Sequence, residues 1–559
     1  MAFQVSPGVL VQEKDLTTII PNVSTSIGGI VIVADKGPCD TIVTVSTEAE
    51  LVDNFGKPNS SNSASWWTAA NFLKYSGTLK VVRAIDEGNA LNASGTAGIL
   101  IKNDDIWENT TLVATGGDFA AKTPGVWGNS LKVDVCPSAG AFSGWAHEDL
   151  FDIKPGSTDY ALDLGGADDE VYIVVSDEDG GITGVAGTVL ETFITSKSYD
   201  VKSVTGEGMY YKDVLFRSSR YVYWMDHPTA ASGTAWGSAI AGAAYLGTEA
   251  AYSLSLGFGV DGTVSTGDRS EALDEFNDAD TVDLNLLISG DADLTFAKDC
   301  LDVAATRKDC LAFISPLISD VVGVSNSATQ TTNVTDYFNN VSTGFNSSSY
   351  SVFDSGWKYM YDTYNDNYVW VPLNGDIAGT CANTDDTADP WFSPAGMSRG
   401  NIKGSIKLAF NPTKTQRDTL YKGRINPVVT FPGMGTLLWG DKTAQAKASA
   451  FDRINVRRLF MVLEKAISTA SRAQLFELND DVTRSNFVAM TEPFLRDVQG
   501  RRGITDFKVV CDTSNNTGDV IDRNEFRADI YIKPARSINF ITLTFVATRT
   551  GVSFTEVGA

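Results

Sequence analysis

Histidine is the rarest residue of this chain, which has two histidines, His147 and His227, among 559 residues. A metal site with more than two histidine ligands is therefore impossible, and a Ser-His-Asp or Cys-His arrangement must use one of these two. Neither lies beside a G-x-S-x-G sequence, the turn that exposes the serine nucleophile in many hydrolases. We therefore predict no catalytic residue and no enzymatic activity, although a hydrolase that uses only carboxylates stays open as an alternative.

Paired cysteines and long apolar runs are also absent from the sequence. The six cysteines are spread over the whole length, without a C-x-x-C pair or a cluster that has metal-ligand spacing. We expect reduced core cysteines, no metal site, and folding in a reducing cytoplasm. No run approaches the ~18 apolar residues of a membrane span, and the first residues lack the pattern of a signal peptide. No membrane partner is predicted.

Two glycine-rich segments resemble nucleotide-binding loops but differ from them at decisive positions. Gly257–Gly262 follows G-x-G-x-x-G, yet a polar segment separates it from the next helical pattern, so no helix N-terminus would face a pyrophosphate. Gly435–Thr443 resembles a phosphate-binding loop, but Asp441 stands where that loop needs a lysine. We interpret both segments as glycine-rich connections and predict no cofactor.

Charge is distributed unevenly along the chain, which has 44 basic and 69 acidic residues and a net charge of −25. Residues 401–559 contain 23 basic and 16 acidic residues, a net charge of +7, so the first 400 residues carry −32. Nucleic-acid binding needs an excess of Lys and Arg at the contact, so no direct nucleic-acid partner is predicted. The asymmetry favours a C-terminal part that contacts acidic neighbours.

Both ends of the chain contain short segments typical of strands. Val5–Glu13 has a Pro-Gly turn and too few apolar residues to bury itself locally. Ile538–Ala547 is β-branched and aromatic, and no acid or proline within it would protect a free edge from pairing with another chain. We predict that both segments are arms that donate strands to other subunits. The residues predicted to link subunits are Val9, Leu10, Val11, Ile538, Phe540, Ile541, Leu543 and Phe545.

Between the arms, the hydrophobic pattern changes twice. Ser26–Ile85 alternates buried strand, helix and strand, as in an α/β unit, whereas residues 91–250 break into short strand-like pieces and acidic, glycine-rich loops. Helix and strand alternation returns near Asp283. The predicted divisions are 1–22 (N-terminal arm), 23–90 (α/β core, first part), 91–250 (β-rich insert), 251–390 (α/β core, second part), 391–536 (C-terminal core domain) and 537–559 (C-terminal arm).

A helix in the C-terminal domain carries two basic residues of interest. Val456, Leu459 and Leu463 have the spacing of an amphipathic helix. Arg457 and Arg458 fall on the opposite, polar face. We predict that they are surface contacts, with ordinary surface salt bridges as the alternative.

Short motifs follow one another in a fixed order along most of the chain. They are Ser6–Glu13, Ala34–Pro38, Phe55–Gly56, Leu79–Arg83, Gly125–Val133, Gly257–Gly262, Trp391–Gly396, Leu420–Pro427, Asp452–Phe460, Leu475–Asp480 and Asp522–Arg527. In this order the chain resembles the contractile-tail sheath family of bacteriophages. The resemblance covers roughly the first ninety residues and everything after about residue 250, and it is densest in the last three motifs.

The resemblance implies a multidomain fold that combines α+β and α/β parts: an α/β sheath core with terminal strand-donating arms and an inserted β-rich protruding region. It implies a structural subunit that polymerises as stacked six-membered rings around a tail tube and contracts to drive the tube through the host envelope. The implied partners are other copies of the chain, the tube protein, the baseplate, and the tail terminator or neck proteins. The implied location is the virion, after assembly in the host cytoplasm.

Within that family, we expect the C-terminal domain to face the tube, with Arg457 and Arg458 as inner-face contacts, and the acidic insert to project outward. The sheath of a phage-derived injection particle, similar to a contractile bacteriocin, is the alternative within the same class.

Overall fold

A computed structural model describes residues 24–109, 117–228, 234–340, 344–539 and 542. Ile538 lies within these ranges, in irregular structure after a strand that ends at Pro534, and is 81 % exposed. The other residues predicted to link subunits lie outside the described residues: Val9, Leu10, Val11, Phe540, Ile541, Leu543 and Phe545. Strand donation by the arms therefore stays a prediction.

The chain mixes helices and sheets, as we predicted. The helices are α1 Glu48–Phe55, α2 Ser63–Leu73, α3 Asp104–Asn109, α4 Ala139–Phe142, α5 Asp159–Asp163, α6 Tyr211–Ser218, α7 Thr266–Asp274, α8 Leu294–Arg307, α9 Ile318–Val321, α10 Ser327–Asn339, α11 Asn374–Thr387, α12 Lys414–Lys422, α13 Ile454–Ser471, α14 Asp481–Gly500 and α15 Gly518–Asp522. The strands are β1 Gly28–Ile32, β2 Val43–Val45, β3 Leu79–Arg83, β4 Phe119–Ala121, β5 Leu131–Cys136, β6 Glu170–Asp177, β7 Thr188–Ser196, β8 Val222–Trp224, β9 Tyr252–Ser255, β10 Leu286–Ile288, β11 Leu311–Ile314, β12 Ser351–Asp354, β13 Trp357–Asp362, β14 Asn367–Pro372, β15 Lys407–Leu408, β16 Ile425–Asn426, β17 Val428–Phe431, β18 Gly435–Leu438, β19 Ile504–Val510 and β20 Asp529–Pro534.

The described residues divide into two compact units. The larger unit comprises residues 24–387 and 394–447, and the smaller one comprises residues 388–393 and 448–539. We predicted a boundary near residue 391, but residues 394–447 belong with the larger unit. The reason is strand pairing over long sequence distances, because β16 pairs with β12 and β15 pairs with β13.

The larger unit is built on a seven-stranded sheet with the order β16-β12-β11-β10-β1-β3-β2. All neighbours in it are parallel except β2 and β3. Every residue of β1 is buried, as expected for a parallel strand that is covered on both faces. Gly28 is required there, since a Cβ atom at that position would lie 2.6 Å from the Phe72 ring.

The chain leaves this sheet after β3 and returns to it at β10. Between them lie a four-stranded antiparallel sheet, β7-β6-β5-β9, and the β4–β8 pair. The sheet includes Tyr252–Ser255, so its last strand lies beyond the predicted end of the insert at residue 250.

Buried Arg83 joins the main sheet to the base of this insert. Its guanidinium donates hydrogen bonds to the carbonyl oxygens of Ala34 (2.8 Å), Asp35 (3.2 Å), Gly37 (2.9 Å) and Pro124 (2.9 Å). These bonds satisfy the buried cation with backbone oxygens and tie residue 124 of the insert to the end of β1.

A carboxyl group at the end of β12 makes the stability of the larger unit depend on pH. Asp354 is 1 % exposed and accepts hydrogen bonds from Ser315 Oγ (2.6 Å) and Gly356 N (2.9 Å). Burial raises the pKa of Asp354 from 3.8 to about 8, with a smaller contribution from the nearby Asp376 carboxylate. Between the ordinary pKa of 3.8 and about pH 8, Asp354 therefore stays protonated in the folded chain, whereas it has lost its proton in the unfolded chain.

Because the folded-state pKa of Asp354 is the higher one, the stabilisation is complete below about pH 4 and is lost as the pH rises towards 8. We expect the unfolding free energy to fall by at most ~1.4 kcal/mol per pH unit from this group. Urea unfolding at several pH values should show a flatter profile for Asp354→Asn. The control is Asp152→Asn, which changes an exposed loop carboxylate. An unchanged slope in Asp354→Asn would contradict the assignment.

Candidate assembly surfaces

The smaller unit contains a two-stranded antiparallel hairpin, β19 and β20, whose edges are candidate assembly surfaces. Phe507 pairs with Ile532, and the register shifts between Ile504 and Asp506. Within the described part of the chain, this sheet consists of these two strands. Each strand therefore has one edge that faces no third strand, and such edges pair readily with an added strand.

The hairpin is supported on one face. Its inward side chains join the core formed by α13 and α14, which includes Leu459, Leu463, Phe487 and Leu495. These inward side chains are Phe507, Val509, Ile530 and Ile532. The alternating side chains of the other face, Asp506, Lys508, Asp529, Tyr531 and Lys533, are exposed. A two-stranded sheet is only marginally stable alone, so this packing holds the hairpin in place.

The segment that connects the two strands is also fixed. Asn516 is 2 % exposed, accepts a hydrogen bond from Arg527 N (2.9 Å) and donates one to Arg527 O (2.7 Å). Asn479 Nδ2 donates to Glu525 O (2.8 Å), and Asn479 Oδ1 accepts a hydrogen bond from Arg484 Nη1 (2.7 Å). The connection between the two strands is therefore ordered by hydrogen bonds within the smaller unit. The strand-like segments Phe507–Cys511 and Phe526–Lys533 predict these two strands from the sequence, but they do not predict that the strands pair with each other.

The prediction that Arg457 and Arg458 lie on an exposed polar face is wrong. They are 6 % and 3 % exposed, and the Arg457 guanidinium lies 4.0 Å from the centre of the Phe451 ring. All six residues of Ile454–Leu459 are buried, so the first turns of α13 are covered on every side. Contact with a tube through these two side chains has no support from their positions in this chain.

The basic excess of the C-terminal part also lies elsewhere than we expected. Residues 401–447 contain eight basic and two acidic residues, whereas residues 448–539 contain 14 basic and 13 acidic residues. The basic excess of the C-terminal part therefore lies in residues 401–447, which belong to the larger unit. The smaller unit is close to neutral. Several exposed cations of the smaller unit are paired, as Lys533 is with Asp506 (2.8 Å) and Arg527 with Glu525 (2.7 Å).

Both histidines have structural partners. His147 Nε2 lies 3.1 Å from Asp134 Oδ2, and His227 Nδ1 lies 2.7 Å from the Tyr211 hydroxyl. Burial is the main cause that lowers the pKa of His227. In the described residues, no group of three or more His, Cys, Asp or Glu side chains is placed to hold a metal ion, and no helix is long and apolar enough to cross a membrane.

Three families match successive parts of the chain. They are the phage tail sheath protein Gp18 domain III N-terminal region (residues 25–84), the phage tail sheath protein central domain (262–444) and the phage tail sheath C-terminal domain (446–548). A tail sheath protein of Vibrio phage KVP40 is 34 % identical over 99 % of both chains. The chain belongs to the phage tail sheath protein family. The tail sheath protein of Enterobacteria phage T4 is also 34 % identical over 99 % of both chains.

Solved structures share the sheath fold over most of the chain. A sheath tail protein from Listeria innocua has a TM-score of 0.54 at 11 % identity and covers 93 % of this chain and 97 % of its own. The helical sheath of the anti-feeding prophage in the contracted state has a TM-score of 0.51 at 13 % identity over 98 % of this chain and 100 % of its own. The sheath fold is thus common to this chain and to the helical sheath of the anti-feeding prophage.

Proposed function

We propose that this chain is the structural subunit of a contractile tail sheath that polymerises as stacked six-membered rings around a tail tube. The observation that carries the proposal is the 34 % identity to phage tail sheath proteins over 99 % of the chain. Contraction of the rings would drive the tube through the host envelope. The proposed partners are other copies of the chain, the tube protein, the baseplate and the tail terminator proteins, with assembly in the host cytoplasm.

The hairpin β19–β20 supports the proposal at the level of contacts. Strands donated by the arms of neighbouring copies would extend its open edges through main-chain hydrogen bonds, which keep subunits linked while side-chain contacts change. A sheath that contracts needs this combination, because its subunits must repack without separating.

The insert, residues 91–250, is proposed to project outward. It contains nine basic and 22 acidic residues, a net charge of −13, which suits a surface that faces solvent. We retain a tube-facing position for the smaller unit as an implication of the family, without the charge argument that first motivated it.

The phage tail is favoured over a phage-derived injection particle, because both relatives at 34 % identity are phage proteins. The fold likeness to the anti-feeding prophage sheath supports the second candidate only at the level of fold.

Electron microscopy of the purified full chain tests the proposal. We expect rings or helical tubes, and a reconstruction that places residues 91–250 at the outer radius. Dispersed monomers in the presence of the tube and baseplate proteins would contradict the function. Tubes with the insert on the inner wall would contradict only its orientation.

A further inference from the structure

The segment between α13 and α14, together with the first turn of α14, exposes four large apolar side chains within eight residues. Leu475 is 63 % exposed, Phe476 104 %, Leu478 77 % and Val482 65 %. Exposed apolar residues are common singly, but a contiguous group of this kind marks a contact surface. We refer to residues 475–482 as the apolar loop.

The backbone of the apolar loop holds its most exposed residue in an unfavourable conformation. Phe476 has a φ of +72°, in the left-handed region that bulky residues rarely occupy. An aromatic side chain is thus directed into solvent by a strained backbone. Such strain persists where the surrounding structure fixes it and is concentrated at functional positions.

The base of the apolar loop is fixed by polar contacts. Asn479 donates a hydrogen bond to Glu525 O and accepts one from Arg484, whose side chain is 8 % exposed. Asp480 caps α14 by accepting a hydrogen bond from Thr483 N (2.8 Å). Because the loop is already ordered, docking would require little further ordering. Its anchor at Glu525 also places it next to the connection between β19 and β20.

Acidic side chains lie next to the exposed apolar side chains of the apolar loop. Glu477 and Asp480 are exposed beside the apolar side chains, whereas the exposed Asp481 is paired with Arg484 (2.6 Å). A matching surface would therefore present apolar or aromatic groups together with a cation.

The larger unit has a surface with these properties on the three-stranded sheet β14-β13-β15. Four aromatic rings of this sheet form a continuous group: the ring centre of Tyr359 lies 5.5 Å from that of Tyr368 and 4.7 Å from that of Trp370, and the ring centre of Tyr361 lies 5.2 Å from that of Tyr368. Trp370 anchors the group, because it also packs against the core of the larger unit. Tyr361 and Tyr368 are 40 % and 54 % exposed. The exposed Lys407 places its Nζ 4.8 Å from the Tyr359 ring centre. We refer to these five residues as the aromatic face.

We propose that the apolar loop of one copy docks on the aromatic face of a second copy of this chain. The inference rests on the proposed function, since it requires polymerisation. Two different surfaces of one chain that complement each other form a heterologous contact, which builds rings or helical polymers rather than closed dimers. The contact adds a side-chain interface to the main-chain links of the arms.

A cross-linking experiment locates the partner of the apolar loop. A photoreactive phenylalanine analogue replaces Phe476 in the full chain, which is polymerised as a mixture of ¹⁵N-labelled and unlabelled copies. We expect cross-links between differently labelled copies that join residue 476 to residues 357–372 or 407–408. Cross-links within one copy, to another part of a second copy, or to the tube protein would overturn the proposal.

Charge reversal tests the same contact independently. We expect Glu477→Lys and Lys407→Glu each to reduce the polymerised fraction about tenfold, and the double variant to recover most of it, because the opposite charges are restored. Lys422→Glu, at an exposed lysine of α12, is the control and should polymerise normally. Thermal unfolding should show unchanged monomers in every case.

The outcomes separate the contact from the proposed function. Wild-type chain that forms no polymer contradicts the proposed function and the contact together. Wild-type polymers, with both single charge reversals polymerising normally, contradict the contact alone.

Discussion

We expect deletion of residues 1–22 or of residues 537–559 to leave a folded, soluble chain that no longer polymerises. The arms hold strand-forming sequences, and the hairpin β19–β20 has an open edge on each side within the described residues. A strand added to such an edge forms several main-chain hydrogen bonds at once. Deletion of an arm therefore removes all of these hydrogen bonds between two subunits together. We expect the polymer observed by electron microscopy or sedimentation to fall to background for either deletion.

The thermal unfolding midpoint of each truncated chain distinguishes donation from self-folding. If the arms belong to neighbouring copies, the midpoint of the monomer should stay within about 2 °C of wild type, since ~1 kcal/mol shifts a large domain by a few degrees. A lowered midpoint, or aggregation of the truncated monomer, would show that the arms complete their own domain. Val204→Ser, at a side chain 97 % exposed in the insert, is a control for general surface effects.

Substitution of Lys358 by methionine strongly destabilises the larger unit. Lys358 and Asp376 are both 0 % exposed, and Lys358 Nζ lies 2.9 Å from Oδ1 and 2.8 Å from Oδ2 of Asp376. Lys358 also donates to Lys403 O (2.9 Å), and the Tyr75 hydroxyl donates to Asp376 Oδ1 (3.1 Å). Burial lowers the pKa of Lys358, and the Asp376 carboxylate opposes that shift. Removal of the cation leaves a buried carboxylate without its counter-charge, at a cost of about 3–5 kcal/mol.

Urea unfolding at pH 7 measures the loss of stability in Lys358→Met, and two further variants show whether burial of the pair causes it. The double variant Lys358→Met with Asp376→Leu should recover most of the stability, because replacing both charges by apolar groups removes the unpaired ion. Lys533→Met breaks an exposed pair with the same 2.8 Å separation, Lys533–Asp506, and should change the stability little. Equal effects of the buried and exposed substitutions would contradict the argument from burial.

Local patterns predicted three strands of the seven-stranded main sheet, because each is marked by a short apolar run. The apolar run Ile27–Ala34 contains β1, Leu79–Ile85 contains β3, and Asp283–Ser289 contains β10. A buried parallel strand needs apolar residues on both faces, so a continuous apolar run identifies it without knowledge of its neighbours. The order of the family motifs added the sheath assignment, which the matches to phage tail sheath families confirmed.

The site residues were less predictable, because they depend on contacts between distant segments. Arg457 and Arg458 fall opposite the apolar stripe of α13, and periodicity alone places them in solvent. In the folded chain the first turns of this helix are covered on all sides, and both side chains are buried. The apolar loop was noted only as a sequence motif, since exposure of Phe476 follows from a backbone conformation that no composition reveals.

The sequence by itself determined the class of protein and the strand segments that contain β1, β3 and β10 of the main sheet. The spacing of apolar residues and the order of motifs can both be recognised in the sequence before the fold is known. Only the tertiary structure showed that residues 394–447 belong to the larger unit and that Lys358 and Asp376 form a buried pair. It also showed that Arg457 and Arg458 are buried. Each of these depends on which distant segments pack together, and the burial of a charge is set by that packing rather than by its neighbours in the chain.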